Sequence, residues 1–263
     1  MKSPLPRKSG KMKARAEIEA RLRAVVGEDS AIEARELLAS TDDERELERR
    51  INRRISGEPL QYILGEWDFY GMNFKLSPAV LIPRPDTEIL VETAIGLIRE
   101  RGYKSVLDLC TGSGCIGIAI GGHTRATIAL SDISGSALEV AKLNAQRHGL
   151  TAELIRSDLF ENIEASFDCI VCNPPYLSEA DMGSLQRELL HEPREALFGG
   201  ADGLDFYRRI ARCYLSHLNR GGSLLLEIGS MQGESVKRIF NGGVLVRDYG
   251  GRDRVLIVED NRC

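Results

Sequence analysis

The tetrapeptide Asn173-Pro174-Pro175-Tyr176 concentrates groups suited to gripping a flat amide or base. Two consecutive prolines stiffen the backbone and remove its N–H donors, leaving carbonyl groups with no competing donor beside them. The Asn173 side-chain oxygen and the Pro174 carbonyl can therefore both accept from one planar NH2 group, and the Tyr176 ring offers a face for it to lie on. A plain turn would use the same four residues without that task. The second candidate is the loop Cys110-Thr111-Gly112-Ser113-Gly114. Its glycines let a ligand approach the backbone, and a helix opening there presents unpaired N–H groups. Gly112, Gly114 and Gly117 formally satisfy G-x-G-x-x-G, which alone is little more than a tight-turn signal. Downstream, Asp132 can accept both hydroxyls of a ribose; it can also serve partly as a helix cap, although Ser134 is the better one. Asp158 is either near the base of the same nucleotide or the cap of a short turn. Loop and aspartates together point to an adenosine-containing cofactor. A hydride-transfer enzyme has no use for the Asn-Pro-Pro-Tyr arrangement.

Such residues converge only if strands deliver them to one edge of a sheet. Strand signals lie near 105–109, 127–131, 152–156, 168–172, 222–228, 243–248 and 254–258, with helices at 115–122, 134–147, 179–190, 203–217 and 230–240. This alternation specifies an α/β, doubly wound and mainly parallel sheet of seven strands, whose ligands sit at the carboxyl ends. Only Tyr249 to Asp253 separates the last two strands, too short a link for a parallel crossover, so they should form an antiparallel hairpin. Upstream, Trp67 to Leu76 alternates large apolar residues around Gly71, a β-hairpin pattern. Pro83 and Pro85 then make a stiff turn, where Asp86 or Thr87 can cap a helix running to about Arg101.

Residues 12–56 carry heavy charge and three apolar stripes, Ile18/Leu22/Val25/Val26, Ile32/Leu37/Leu38 and Leu47/Ile51/Ile55. Ser30 and Thr41 are the expected N-caps, Thr41 forming a capping box with Glu44. The expected organisation is a small helical domain over 1–60, a β-hairpin linker over 61–82 and a catalytic domain over 83–263.

Composition narrows the class. The chain has 263 residues, 43% hydrophobic and 28% charged, with a net charge of −4. That is ordinary globular composition, and no run reaches the length of a membrane span. Residues 1–58 carry +2 and the remainder −6, which argues against a dedicated duplex-DNA binder. Eight of the first 25 residues are basic, yet without aromatics among them this reads as a solvated tail. Cys169 and Cys172 have C-x-x-C spacing inside an apolar run, and no second pair or histidine cluster completes a metal set. Free thiols, no metal, no disulfide, a cytoplasmic location and a monomer are expected.

The Asp-Leu-x-Thr-Gly-Ser-Gly loop combined with Asn-Pro-Pro-Tyr resembles the class I S-adenosylmethionine-dependent methyltransferases that modify planar nitrogens. Pro59-Leu-Gln-Tyr62-Ile-Leu-Gly65, Ile82-Pro-Arg-Pro-Asp-Thr-Glu88, Glu192-Pro193 with Ala196-Leu197, Gly203-Leu204 with Tyr207, and Leu226-Glu-Ile-Gly229 with Gln232 narrow the resemblance. The set is similar to the HemK/PrmC family of peptide chain release factor glutamine methyltransferases, from about residue 58 to Asp253-Arg254-Val255. The resemblance implies a Rossmann-like methyltransferase domain, S-adenosylmethionine as cofactor, and the glutamine of a release factor's Gly-Gly-Gln motif as acceptor. It implies cofactor contacts from Cys110 to Gly114, Asp132, Asp158, Leu159 and Asn173. Glutamine would be bound by Asn173, Pro174, Pro175 and Tyr176, with Arg84 and Glu192 shaping the pocket or, alternatively, joined in a structural ion pair. Two positions depart from the family pattern: Cys110 stands where glycine is usual, and Leu159 where an aromatic is common. The rival readings are a methyltransferase for another protein glutamine or for an exocyclic base amine, a NAD-dependent oxidoreductase, and a non-catalytic cofactor-binding module.

Overall fold

The computed structural model describes residues 8–260 and Arg262, residues 8–13 for their backbone alone. Of the solvated basic tail expected over the first 25 residues, the part before residue 8 lies outside the described residues, as does the Cys263 thiol, whereas Lys8–Val26 is a helix that buries Ile18 and Leu22. Two compact units are present: Met1–Gly65 with Arg187–His191, and Glu66–Gln186 with Glu192–Cys263.

The first unit contains helices α1 (Lys8–Val26), α2 (Ser30–Ala39), α3 (Glu44–Ile55) and α4 (Leu60–Leu64). Ile18, Leu22, Ala34, Leu37, Ile51, Leu60 and Ile63 form its buried face. Of the expected stripe Ile32/Leu37/Leu38, Leu37 is buried but Ile32 is 56% exposed, because Ser30, Ala34 and Leu37 share the inner side of α2. Ser30 is no cap either, because the 3-10 turn Gly27–Asp29 runs into α2 without an extended residue between. Asp43 rather than Thr41 caps α3, its carboxylate accepting from the Arg45 and Glu46 amides, while Thr41 Oγ1 accepts from Asp43 N. Arg54 is buried with its charge matched by Glu33 at 2.6 Å and Glu188 at 2.5 Å.

The second unit opens with the hairpin β1 (Glu66–Phe69) and β2 (Met72–Lys75). Tyr70 and Gly71 both take positive φ, as a two-residue type I′ turn requires. Then come α5 (Glu88–Arg101), β3 (Ser105–Leu109), α6 (Cys115–His123), β4 (Thr127–Asp132), α7 (Gly135–Arg147), β5 (Ala152–Arg156), β6 (Phe167–Cys172), α8 (Glu179–Met182), α9 (Asp205–Cys213), β7 (Leu218–Glu227), α10 (Gly233–Ile239), β8 (Val244–Arg247) and β9 (Asp253–Glu259). The seven-stranded sheet runs in the order β5-β4-β3-β6-β7-β9-β8. Pairs from β5 to β7 are parallel, while β9 lies antiparallel to both β7 and β8. The expected helix at 179–190 is the single turn α8 plus a 3-10 stretch at Arg187–His191, the latter belonging to the helical unit.

Both sheet faces are covered, which is why the central strands read as unbroken apolar runs. One core gathers Phe69, Phe74, Leu90, Ile95, Val106, Ile118, Ile120, Cys169 and Val171. The other gathers Leu107, Leu109, Ile170, Cys172, Tyr207, Leu224, Leu226 and Val236. Cys169 and Cys172 thus face opposite sides of the sheet, and their spacing cannot bring the thiols together. Among the described residues, no group of three or more histidine, cysteine or acidic side chains is placed to hold a metal ion, and no helix is long and apolar enough to cross a membrane.

Candidate active site

Register places three strand tips side by side: Leu109 of β3 pairs with Ser131 of β4 and with Cys172 of β6. The segments leaving these tips, Cys110 to Gly114, Asp132 to Ser134 and Asn173 to Tyr176, therefore meet at one edge. A cleft opens there, about 1150 Å³ including its mouth. Cys110, Thr111, Gly112, Ser113, Asp132, Asp158, Leu159, Asn173, Pro175 and Arg84 all line it. Gly114, Pro174, Tyr176 and Glu192 do not reach its wall, and each adjoins in the chain a residue that does.

The glycine loop is held in place by buried polar groups. Thr111 N donates to Ser131 O at 2.9 Å, and the Thr111 hydroxyl donates to Asp108 Oδ2 at 2.5 Å. Asp108 also accepts from Gly117 N at 2.9 Å, and a Cβ at Gly117 would stand 2.4 Å from Leu130 Cδ2. That glycine is needed for close helix–strand packing. Asp108 is fully buried, which pushes its carboxyl up to about 7. Asn144 ties the loop to the hairpin, its NH2 donating to Ser113 O and Lys75 O and its Oδ1 accepting from Lys75 N.

Both Asp132 carboxylate oxygens accept from backbone amides. Oδ2 accepts from Gly112 N and Oδ1 from Ser134 N, both at 2.9 Å. Ser134 is the actual cap of α7, accepting from Ala137 N, so a cap role for Asp132 falls away. Burial raises the Asp132 carboxyl, opposed by the Ser134, Gly112 and Ile133 amides. Each oxygen keeps acceptor capacity toward the cleft. Asp158 forms an ion pair with Arg209 of α9 at 2.8 Å rather than capping a turn with its side chain.

The tetrapeptide is braced from behind. Gln232 Nε2 donates to Tyr176 O at 2.9 Å and to Gly203 O at 3.3 Å, while its Oε1 accepts from Gly229 N. Leu177 N and O pair with Leu197 O and Gly199 N. Tyr207, fully buried, donates its hydroxyl to Glu227 O at 2.9 Å. Burial raises the Tyr176 phenol well above its usual range. Arg84 and Glu192 are ion-paired with each other, and Glu192 Oε2 also accepts from Ile82 N at 3.0 Å. The pair pins the Ile82 to Arg84 segment against Pro193, so both wall segments hold together.

Some cleft residues gave no signal in sequence. Phe206 and Arg209 arrive from α9, about as far along the chain as any contributor, and Phe206 brings an aromatic ring to the cleft that Leu159 also lines. Asp86 or Thr87 was expected to cap α5; Thr87 holds the cap position without a side-chain cap bond, and its Oγ1 lies 3.5 Å from Asn173 Nδ2.

Comparison with known proteins agrees with this geometry. Residues 86–203 match the family model of the methyltransferase small domain. The chain is 42% identical over 219 residues to the release factor glutamine methyltransferase of Chlamydia trachomatis serovar L2, covering 81% of this chain and 76% of that protein. It is 44% identical over 214 residues to the enzyme of the same name from Geobacter sulfurreducens, covering 78% of this chain and 75% of that one. Among solved structures, a methyltransferase from Pyrococcus furiosus superposes with a TM-score of 0.56 at 18% identity, over 81% of this chain and 97% of that one, a likeness of fold. With the strand tips, the glycine loop and the braced tetrapeptide all in one cleft, the chain belongs to the release factor glutamine methyltransferase family.

Proposed function

We propose that this protein methylates the side-chain amide nitrogen of the glutamine in the Gly-Gly-Gln motif of a peptide chain release factor, with S-adenosylmethionine as methyl donor. The observation that carries the reading is the placement of Asn173 and Pro175 in the same cleft wall as Gly112 and Asp132. The residues present fit the cofactor. Gly112 has φ +55° with open space where a Cβ would project, so the loop backbone is free for close approach. Asp132 offers unused acceptor sites for a vicinal diol, and Leu159, Phe206 and Ile133 give apolar wall for a base. When bound, the cofactor supplies an electrophilic methyl on a sulfonium.

The chain's own residues have a positioning task. An amide nitrogen is a poor nucleophile because its lone pair is delocalised into the carbonyl. Asn173 Oδ1 and the Pro174 carbonyl would accept from its two N–H bonds, fixing its plane and favouring the positive charge that grows on nitrogen during transfer. The proton leaves late, from a nitrogen made strongly acidic, so no strong base is required. Pro174 and Pro175 keep this acceptor pair rigid, and Tyr176 flanks it. Arg84, paired with Glu192, holds the wall past which the substrate loop enters.

The experiment is methylation of purified release factor with labelled cofactor, followed by mapping of the modified residue. Asn173→Ala should lower kcat by about 100-fold or more, by analogy with loss of one transition-state hydrogen bond, with the fold intact. Near wild-type turnover by that variant refutes the role. Methylation of a different glutamine, or of a base amine instead, transfers the assignment to that acceptor.

A further inference from the structure

The carboxamide of Asn173 has two ends of opposite hydrogen-bonding sense, and the end that meets the cleft is decided by what holds the other. Sheet register brings a buried acid beside it. Cys172 of β6 pairs with Leu226 of β7, so Asn173 and Glu227 are the next residues at adjacent strand tips. Glu227 is 1% exposed, and its Oε2 has no hydrogen-bond partner among the described residues. Thr87 is equally buried. Its Oγ1 lies 3.5 Å from Asn173 Nδ2, and its side chain is among the groups that hold the Glu227 carboxyl down against burial.

A hydroxyl has one proton to give. When Thr87 gives it to the Glu227 carboxylate, its oxygen can face Asn173 only as an acceptor, and only the NH2 end of Asn173 satisfies it. We propose that Thr87 and Glu227 are positioning residues that fix the flip of the Asn173 carboxamide, turning Oδ1 toward the substrate amide. The use made of Oδ1 rests on the glutamine-binding role proposed for this cleft; the relay of hydrogen bonds does not.

The relay depends on the charge of Glu227. The groups facing it are Arg84 and Asp86 from the segment before α5, Cys115 of α6, Tyr176, Tyr207 of α9 and Arg254 of β9. Arg254 is already engaged by Asp86 at 2.8 Å and Asp248 at 3.2 Å. Burial outweighs the hydrogen bond from Thr87 and the attraction of Arg254, and lifts the Glu227 carboxyl to about 7. Below that pH, protonated Glu227 can itself donate to Thr87, and the constraint on Asn173 is released.

The test reads Asn173 directly. In cofactor-free, 15N-labelled protein, the Asn173 side-chain NH2 signals, assigned by their loss in Asn173→Ala, are followed by NMR from about pH 5 to 9. A transition near 7 is expected, absent in Glu227→Gln and Thr87→Val and retained in Thr87→Ser. No transition in the wild type, or an unchanged one in Thr87→Val, overturns the relay. In the methylation assay Thr87→Val should lose about tenfold or more in kcat, restored by Thr87→Ser, with little change in KM. Wild-type kcat in Thr87→Val overturns the positioning role. If the NMR coupling is present while the wild type leaves release-factor glutamine unmodified, the relay stands and the assigned substrate falls.

Discussion

At Cys110 the backbone takes φ +61°, a region in which an L side chain is strained by about 1–3 kcal/mol. Glycine relieves that strain, although it gives the unfolded chain more freedom and removes a thiol packed against the Leu109 and Cys172 core. Cys110→Gly is therefore expected to stabilise by up to about 1 kcal/mol in urea unfolding, and to widen the cleft without weakening cofactor binding. A loss of stability beyond about 1 kcal/mol would show that the thiol's packing outweighs the strain. Leu159 is the companion case: at φ +51° and buried, it lines the cleft at the position where the family commonly has an aromatic, and Phe206 lines the same cleft. That Asn173, Asp132 and the glycine loop meet at one sheet edge was legible because those residues follow strands directly. Phe206, Arg209 and the contact of Thr87 with Asn173 were not, because their meeting depends on how separate elements pack.

The elements of the second unit were legible for a related reason. Central strands such as Cys169 to Cys172 are buried on both faces, and this forces apolar runs that no helix of equal length would need. The short link from Tyr249 to Asp253 likewise dictated the terminal antiparallel hairpin. Short helices were harder: α4 has five residues and α8 four, too few for periodicity to register. Nor does a sequence show which glycine guards which loop. Gly203 has φ +74°, and a Cβ there would stand 2.3 Å from Tyr176 O and 2.8 Å from Gln232 Nε2. That carbonyl and amide are the brace behind the tetrapeptide. Gly203→Ala should thus push Tyr176 out of place, costing about 2 kcal/mol or more in stability. Methylation should fall further than cofactor affinity, since the glycine loop is untouched. Equal losses in both, measured by turnover and calorimetry, would contradict that division.

For the unit as a whole, the buried acids set the response to pH. Asp108 and Glu227 are each fully buried, and burial raises both from the ordinary carboxylate range to about 7. A group raised on folding holds its proton longer in the native state. Its contribution to stability is complete below the unfolded pKa near 4 and is lost as pH climbs through about 7. For one such group the loss is on the order of 4 kcal/mol, so the two together outweigh most single interactions in the unit. Asp168, Asp202, Asp248 and Asp260 are held low instead: Asp202 and Asp260 mainly by hydrogen bonds from Arg208 and Arg262, Asp248 by the Arg252 amide, and Asp168 by Asn219 and backbone amides against its own burial. Their contribution is present at higher pH and disappears only on strong acidification, outside the window of the buried pair. Unfolding midpoints in urea should therefore decline from about pH 5 to about pH 8. Asp108→Asn keeps an acceptor for Thr111 and Gly117, and Glu227→Gln keeps one for Thr87, so each should flatten the decline. The double variant should remove most of it. A midpoint that rises across this range, or a double variant with the wild-type slope, would place the pH dependence in other groups and deny that these two acids hold their protons in the folded protein up to about pH 7.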